Sequence, residues 1–429
     1  MSMADSRWQR IATLCGLYAA QGLPWGFMTI ALISYLTAQG VNEARAGELA
    51  AIVLVPWTFK LVWAPLIDTV TIRSMGRRRP WIIGAELMMG VTMLGLLLMG
   101  NLEGDLQFLG WMFFIHNCFA SLQDVATDAL AVDILPRNEY GQVNGLMWGS
   151  KLVGKGVGAG LMAVVMSHWG IPAAVLVQFA FMVVIMLLPL LLLERSGEKR
   201  FPWSRGQASE DVKAPSVRSP MEVLRDMRYG FALSSMYVFA LLALVKTIGF
   251  GVTEIVSKAL YTQQLGWSFV DVSLVSSYAV VPEFLGAIGA GFLADRFGRR
   301  RVMGVSLGAS ALLALLFGAL PGLWSDSWFT ILYLIAAPAL WAVVGVSFLS
   351  FSMRITWTRS AATIFTTYMT LSNVGHVIGN WMAGPVREVF SYEHSFLVSG
   401  LMIIVPILLL PLVRPAQVDR ARRLDETMA

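Results

Sequence analysis

Asp295-Arg-Phe-Gly-Arg-Arg-Arg301 joins an apolar run near 270–294 to another near 302–321. The same order occurs once before. Asp68 and then Gly76-Arg-Arg-Arg79 lie between apolar runs near 47–69 and 81–100. An acid–glycine–arginine turn at the same place in two series of apolar runs marks a duplicated membrane architecture. The glycine permits a tight turn, and the arginines can cap helix C-termini or pair with the acid. We read Asp68, Gly76, Arg77 and Arg78, with their counterparts Asp295, Gly298, Arg299 and Arg300, as a structural gate latch. The plainer alternative is that these arginines serve membrane topology alone.

The rest of the chain agrees with a membrane reading. Of 429 residues, 56% are hydrophobic and only 14% charged, where soluble domains carry about 25% charged residues. Apolar runs long enough to cross a bilayer as helices recur near 11–36, 47–69, 81–100, 108–135, 141–166, 171–193, 230–260, 270–294, 302–321, 328–352, 360–384 and 395–413. They do not alternate in polarity, which excludes a β-barrel. The expected fold is an all-α polytopic membrane protein of twelve transmembrane helices in two pseudo-symmetric bundles of six. The bundles fall at 1–193 and 230–413, with a Pro-, Ser- and charge-rich linker at 194–229 and a tail at 414–429. If the spans alternate, about 25 of the 32 basic residues fall on one side, and the other keeps only Arg45 and Arg387. That asymmetry places both termini in the cytoplasm. It also accounts for the net charge of +5 without nucleic acid. Cys15 and Cys118 suggest neither a disulfide framework nor a metal site. The first apolar run continues without a small-residue cleavage site, so no cleavable signal is expected.

One span carries acids. Ala120-Ser-Leu-Gln-Asp-Val-Ala-Thr-Asp-Ala-Leu-Ala-Val-Asp-Ile-Leu-Pro136 holds Asp124, Asp128 and Asp133. Carboxylates at membrane depth are kept mainly where they face a polar cavity, a partner charge or a substrate path. Asp124 and Asp128 share one helix face, and Asp133 lies about 180° round from Asp124. In the next span Lys151 and Lys155 stand one turn apart, and counting along both helices puts Lys151 at the depth of Asp124. An Asp124–Lys151 pair could be a fixed strut. It could also be broken by a substrate carboxylate taking the lysine, which leaves the aspartate to take a proton. The glycines of this span, Gly145, Gly149, Gly154, Gly156, Gly158 and Gly160, fit close helix packing rather than a phosphate loop. Trp148 beside Lys151 is a candidate for stacking on a sugar. Gln21 and Pro24 sit where the first span should bend, so ligand contact and a kink are both open there. Lys60 and Glu86 read as structural or gate charges, and His116 as a satisfied hydrogen-bonding group.

In the second half Glu283, after Pro282, is the best acid for proton carriage. Glu254 and Lys258 are spaced to pair. Lys246 has no partner in its own helix, so it can face an anionic substrate. Asn373, His376 and Asn380 form one polar helix face that suits a sugar or peptide, or equally hydrogen bonds between helices. Gly304-Val-Ser-Leu-Gly308 has the spacing of a hydrolase elbow, but it lies in an apolar helix with no strand before it.

Gly291-Phe-Leu-Ala-Asp-Arg-Phe-Gly-Arg-Arg300 resembles the signature loop of the major facilitator superfamily. Four stretches narrow the likeness: Gln21-Gly-Leu-Pro24; Trp63-Ala-Pro-Leu-Ile-Asp68 with Gly76-Arg-Arg-Arg-Pro-Trp81; Gln123-Asp124 with Asp128 and Asp133-Ile-Leu-Pro136; and Thr367-Tyr-Met-Thr-Leu-Ser-Asn373. The first three are similar to the AmpG muropeptide permeases and the related acetyl-CoA transporters, and the fourth to the acetyl-CoA branch. This chain has Lys151 where those relatives tend to have arginine. The resemblance implies a bacterial inner-membrane secondary transporter, not an enzyme. It would use proton symport to import an amphiphilic, partly anionic solute such as an anhydromuropeptide. The compact length also fits the related RhtX/FptX importers of ferric siderophores, and a non-transporting membrane sensor is a third reading. The expected partners are a small-molecule substrate, protons and the lipid bilayer. No cofactor, metal or nucleic acid is expected, and the protein should be a monomer.

Overall fold

A computed structural model describes residues 2–70, 72–98, 105–136, 139–201, 203–204, 225, 228, 231–356 and 361–428. At 64–65, 68–69, 73, 140–142, 361–363 and 422–428 it describes the backbone alone. Apart from turns and short connections the described residues are helical, with a single isolated bridge between Ser2 and Leu193. Eight helical stretches among them are long and apolar enough to cross a membrane by length and composition. One of these, Val143–Leu191, is long enough for two crossings and kinks at Gly170, whose φ is +80°. The remaining long helical stretches carry the polar groups considered below. Large apolar side chains such as Leu98, Phe292 and Val305 point outward, as lipid-facing surfaces require.

The chain forms two compact units, Met1–Tyr35 with Phe59–Val217, and Leu36–Thr58 with Arg218–Ala429. The unit boundaries therefore fall inside the first two helical passages, and most of the expected linker at 194–229 lies outside the described residues.

In the first unit, α1 (Arg7–Gly26) contains Pro24 and widens into a π-helical turn at Phe27–Ala31 before α2 (Leu32–Ala38). The second passage runs from α3 (Glu43–Leu54), which belongs to the second unit, through a tight 3₁₀ stretch at Val55–Phe59 to α4 (Lys60–Thr69) of the first. Then come α5 (Arg79–Gly95), α6 (Leu106–Ile134) and the kinked α7 (Tyr140–Leu191). Glycine brings α1 and α7 together. A β-carbon on Gly22 or Gly26 would lie 2.0 Å from the carbonyl oxygens of Lys151 or Lys155, and one on Gly158 would lie 1.9 Å from Leu23 O. The two main chains touch because no side chain stands between them. Gly145, by contrast, faces open space. The apolar core around this seam includes Leu14, Leu17, Ile82, Leu122, Ala126 and Val143.

The second unit comprises α8 (Ser234–Val245), α9 (Ile248–Ala259), α10 (Phe269–Tyr278), α11 (Val280–Phe297), α12 (Arg299–Ala319), α13 (Ser327–Ile355), α14 (Ala361–Val389), α15 (Tyr392–Leu409) and α16 (Pro415–Met428), together with α3. It repeats the glycine device. β-Carbons on Gly375 and Gly379 would lie 1.8 Å from Leu244 O and 2.3 Å from Ile248 O. Passages one and five are thus joined as passages seven and eleven are, and the duplication read from two turns extends into packing.

Candidate functional site

The polar centre of the first unit is built on Asp124. It is buried, and its carboxylate binds two cations. Lys60 Nζ donates to Oδ2, and Lys151 Nζ lies 3.6 Å from Oδ1. The local causes can be traced. The 3₁₀ stretch before α4 delivers Lys60 at the head of that helix. The glycine seam presses the Lys151 turn of α7 against α1. There Lys151 Nζ donates to Gln21 Oε1 at 2.9 Å. Gln21 Nε2 in turn donates to Gln123 Oε1 at 2.6 Å, and Gln123 Nε2 to Glu86 Oε1 at 2.9 Å. A continuous run of polar groups therefore crosses the unit from Lys60 to Glu86. At its far end Glu86 Oε2 is buried, without a hydrogen-bond partner among the described residues.

Asp128, one turn beyond Asp124, accepts from the Tyr18 hydroxyl. Lys151 Nζ also stands 5.6 Å from the centroids of both the Tyr18 and Trp148 rings, within cation–π range. Trp148 itself is exposed. Within this cluster, two acids and two lysines balance in charge, and a balanced buried set is the condition for keeping ions at membrane depth.

The structure thus joins Gln21, Gln123, Asp124, Asp128 and Lys151, all read as site residues. It adds Lys60 and Glu86, which the sequence left as structural charges, and Tyr18, which it did not single out. Lys155 sits one turn along α7 at the seam. His116 is buried between α5 and α6, with Nδ1 3.1 Å from Met89 O. Asp133 faces elsewhere, as its angular position implied. It accepts from Arg78 Nε at 2.8 Å, at the end of the unit that holds the Gly76 turn.

That turn is heavily tied. Gly76 has φ of +97°. Glu194 Oε2 accepts from the backbone N–H of Arg78 at 2.9 Å and of Arg79 at 3.3 Å, capping α5. The buried Arg79 guanidinium donates to Pro189 O at 2.8 Å and Met75 O at 2.9 Å, closing the C-terminus of α7. Arg77 is half-buried beside them. The side chain of Asp68 lies outside the described residues. The counterpart turn of the second unit is bare. Gly298 has φ of +90°, and Asp295 meets Arg299 at 3.8 Å in an exposed pair. Arg300 is also exposed there, and among the described residues it forms no ion pair.

The second unit has its own polar set. Glu254 pairs with Lys258 at 3.2 Å and with His376 Nε2 at 2.9 Å. The face of Asn373, His376 and Asn380 is divided among different partners. Asn373 Nδ2 donates to Trp57 O at 3.1 Å, His376 goes to Glu254, and Asn380 packs its backbone against Gly47 and Gly251. Glu283 is buried in the first turn of α11, where an acid favours the helix N-terminus. Lys246 is buried under the rings of Trp341 and Phe348.

Residues 14–379 and 239–427 match the Major Facilitator Superfamily. The chain belongs to that superfamily. As a major facilitator protein it is a multi-pass membrane transporter, and its relatives are permeases rather than enzymes. It is 26% identical over 424 residues to the anhydromuropeptide permease of Escherichia coli K12, covering 94% of this chain and 79% of the relative. Among solved structures it is similar to a singly substituted form of the nucleoside transporter NupG. There the TM-score is 0.74 at 14% identity, covering 94% of this chain and all of the other. The unsubstituted NupG structure gives a TM-score of 0.70 at 13% identity, covering 94% of this chain and 98% of the other. These two structures share the fold of this major facilitator protein, and at that identity nothing narrower follows.

Proposed function

We propose that this major facilitator protein resides in the bacterial inner membrane and imports an amphiphilic, partly anionic solute by proton symport. An anhydromuropeptide or a related wall fragment is the first choice of cargo. The observation that carries the reading is Asp124 held between Lys60 and Lys151. An anionic group of the solute competes for Lys151. With Lys151 engaged by the solute, Asp124 and Asp128 share Lys60 alone, two acids to one cation, and a proton on the pair restores the balance. Release of solute returns the lysine and displaces the proton. Gln21, bonded to Lys151, reports the exchange to Gln123 and Glu86 through the hydrogen-bonded run. The likeness to an anhydromuropeptide permease over most of the chain supports the choice of cargo.

The test is uptake by purified protein in liposomes under an imposed pH gradient. Labelled anhydromuropeptide and ferric siderophore are offered side by side to wild type and Asp124→Asn. Gradient-driven muropeptide uptake that disappears in the variant is the expected result. Uptake that survives the substitution would reduce Asp124 to a strut, and siderophore uptake alone would replace the cargo.

A further inference from the structure

The seventh passage is broken midway. α8 ends at Val245 and α9 begins at Ile248, leaving Lys246 and Thr247 between them. Twelve residues of α8 put the break about 18 Å from its start, near the middle of a bilayer. The break is held against α14. Thr247 Oγ1 donates to Ser372 O at 2.8 Å, and the Gly375 and Gly379 contacts press the α14 backbone onto both sides of it. A helix N-terminus with its partial positive charge therefore opens at a fixed place. In transporters, interrupted helices at this depth present such ends to anionic groups.

Lys246 supplies a second and independent observation. It is 4% exposed, and among the described residues its ammonium has neither a hydrogen bond nor a carboxylate within ion-pairing distance. What it does have are the Phe348 ring at 4.3 Å and the Trp341 ring at 5.2 Å. Cation–π contact at that range offsets part of the burial penalty of an ammonium and leaves the charge without a counterion. The nearby acid is occupied: Glu254 already binds Lys258 and His376. Beside the lysine, Phe250 stacks on Trp341 with centroids 4.3 Å apart and planes 4° from parallel. Both rings are half-buried, with Lys246 over Trp341 and His376 beside Phe250, so part of the stacked pair is left exposed beside the ammonium.

We infer that the Lys246 break is an oxyanion site for the solute. The ammonium and the α9 N-terminus take a carboxylate or phosphate, and the exposed part of the Trp341–Phe250 pair packs against an adjoining sugar ring. The inference rests on the proposed import of an anionic amphiphile and adds the group by which the second unit holds it.

The experiment is reductive methylation of the purified full-length protein in detergent, with modification at Lys246 and Lys258 read by mass spectrometry. The probes are N-acetylmuramic acid, inorganic phosphate and the neutral N-acetylglucosamine. Lys246 should react without ligand and roughly tenfold more slowly with N-acetylmuramic acid, the scale of one charge-assisted hydrogen bond. Phosphate should protect if the oxyanion alone suffices, and N-acetylglucosamine should not protect. Lys258 should be indifferent to all three. Trp341→Phe should reduce protection by the sugar acid more than protection by phosphate. An unreactive Lys246, no protection by either anion, or equal protection by the neutral sugar would overturn the site. Protection without muropeptide uptake in liposomes would keep the site and sink the cargo. Uptake without protection would do the reverse.

Discussion

Asp124 differs from an ordinary buried ion-pair partner in having two ammonium groups, one from each neighbouring passage. Removing one partner of a buried pair leaves an uncompensated charge, a loss of about 3–5 kcal/mol. Lys60→Met should therefore lower thermal stability in detergent. The double variant Lys60→Met with Asp124→Asn should recover part of that loss, because it leaves Asp128 and Lys151 balanced where Lys60→Met alone leaves two acids to one lysine. Melting curves of the four proteins form the cycle, and additivity within about 0.5 kcal/mol would deny the coupling. At the arginine turn Glu198 is buried beside Glu194. Burial first, then the neighbouring carboxylate, push its carboxyl up to about 7, against a donated N–H from Arg195 and the charge of Arg79, which act the other way. Its proton is held more tightly in the folded than in the unfolded protein. The stability it contributes is whole below about 4.5 and lost as pH rises through about 7. Melting temperature should fall between those values in wild type, and Glu198→Gln should flatten that fall. The Asp124–Lys151 contact was legible because depth can be counted along two helices. Lys60 was not, because counting gives depth and no azimuth. Its direction depends on the 3₁₀ turn at Val55–Phe59, which no spacing in the sequence announces.

Among helices, the glycines of α7 are not equivalent. Gly158→Ala would set a methyl 1.9 Å from Leu23 O, whereas Gly145→Ala would meet nothing within 4 Å. The first should destabilise by at least the roughly 1–3 kcal/mol typical of overpacking, while the second should be neutral or slightly stabilising. Folded yield after detergent extraction and the melting temperature would separate them. Equal behaviour would deny the seam. The two arginine turns make a similar contrast. At Gly76 the backbone is left-handed and Glu194 Oε2 lies 2.7 Å from where a methyl would sit; at Gly298 only the backbone objects. Gly76→Ala should therefore lower the melting temperature more than Gly298→Ala. Spacing alone announced close packing in α7, and the GxxxG pattern is enough for that. It could not say which glycines face the seam, since six glycines within sixteen residues occupy most of the helix circumference. The Asn373–His376–Asn380 face shows the opposite failure. The periodicity was right, yet Asn373 and His376 bond to separate partners, Trp57 O and Glu254, and among the described residues Asn380 Oδ1 is buried without one.

For the molecule as a whole, we propose from the distribution of basic residues that both termini face the cytoplasm. A C-terminal green fluorescent protein fusion should fluoresce and a C-terminal alkaline phosphatase fusion should stay inactive; the opposite pair would invert the topology. The fold itself was readable because a bilayer forces every backbone group to be paired within its own helix, so apolar length alone identifies the elements. Cargo is not written so plainly, since it depends on a few side chains whose directions are set by kinks and seams. The seam of α1 with α7 has one more consequence. With bare main chains in contact, a slip of even one residue would drive a side chain into a carbonyl. These two helices can tilt or shift only together, whatever the rest of the unit does. Spin labels placed one on each would report a constant separation through every loading state, a length standard built into the transporter against which moving distances can be calibrated.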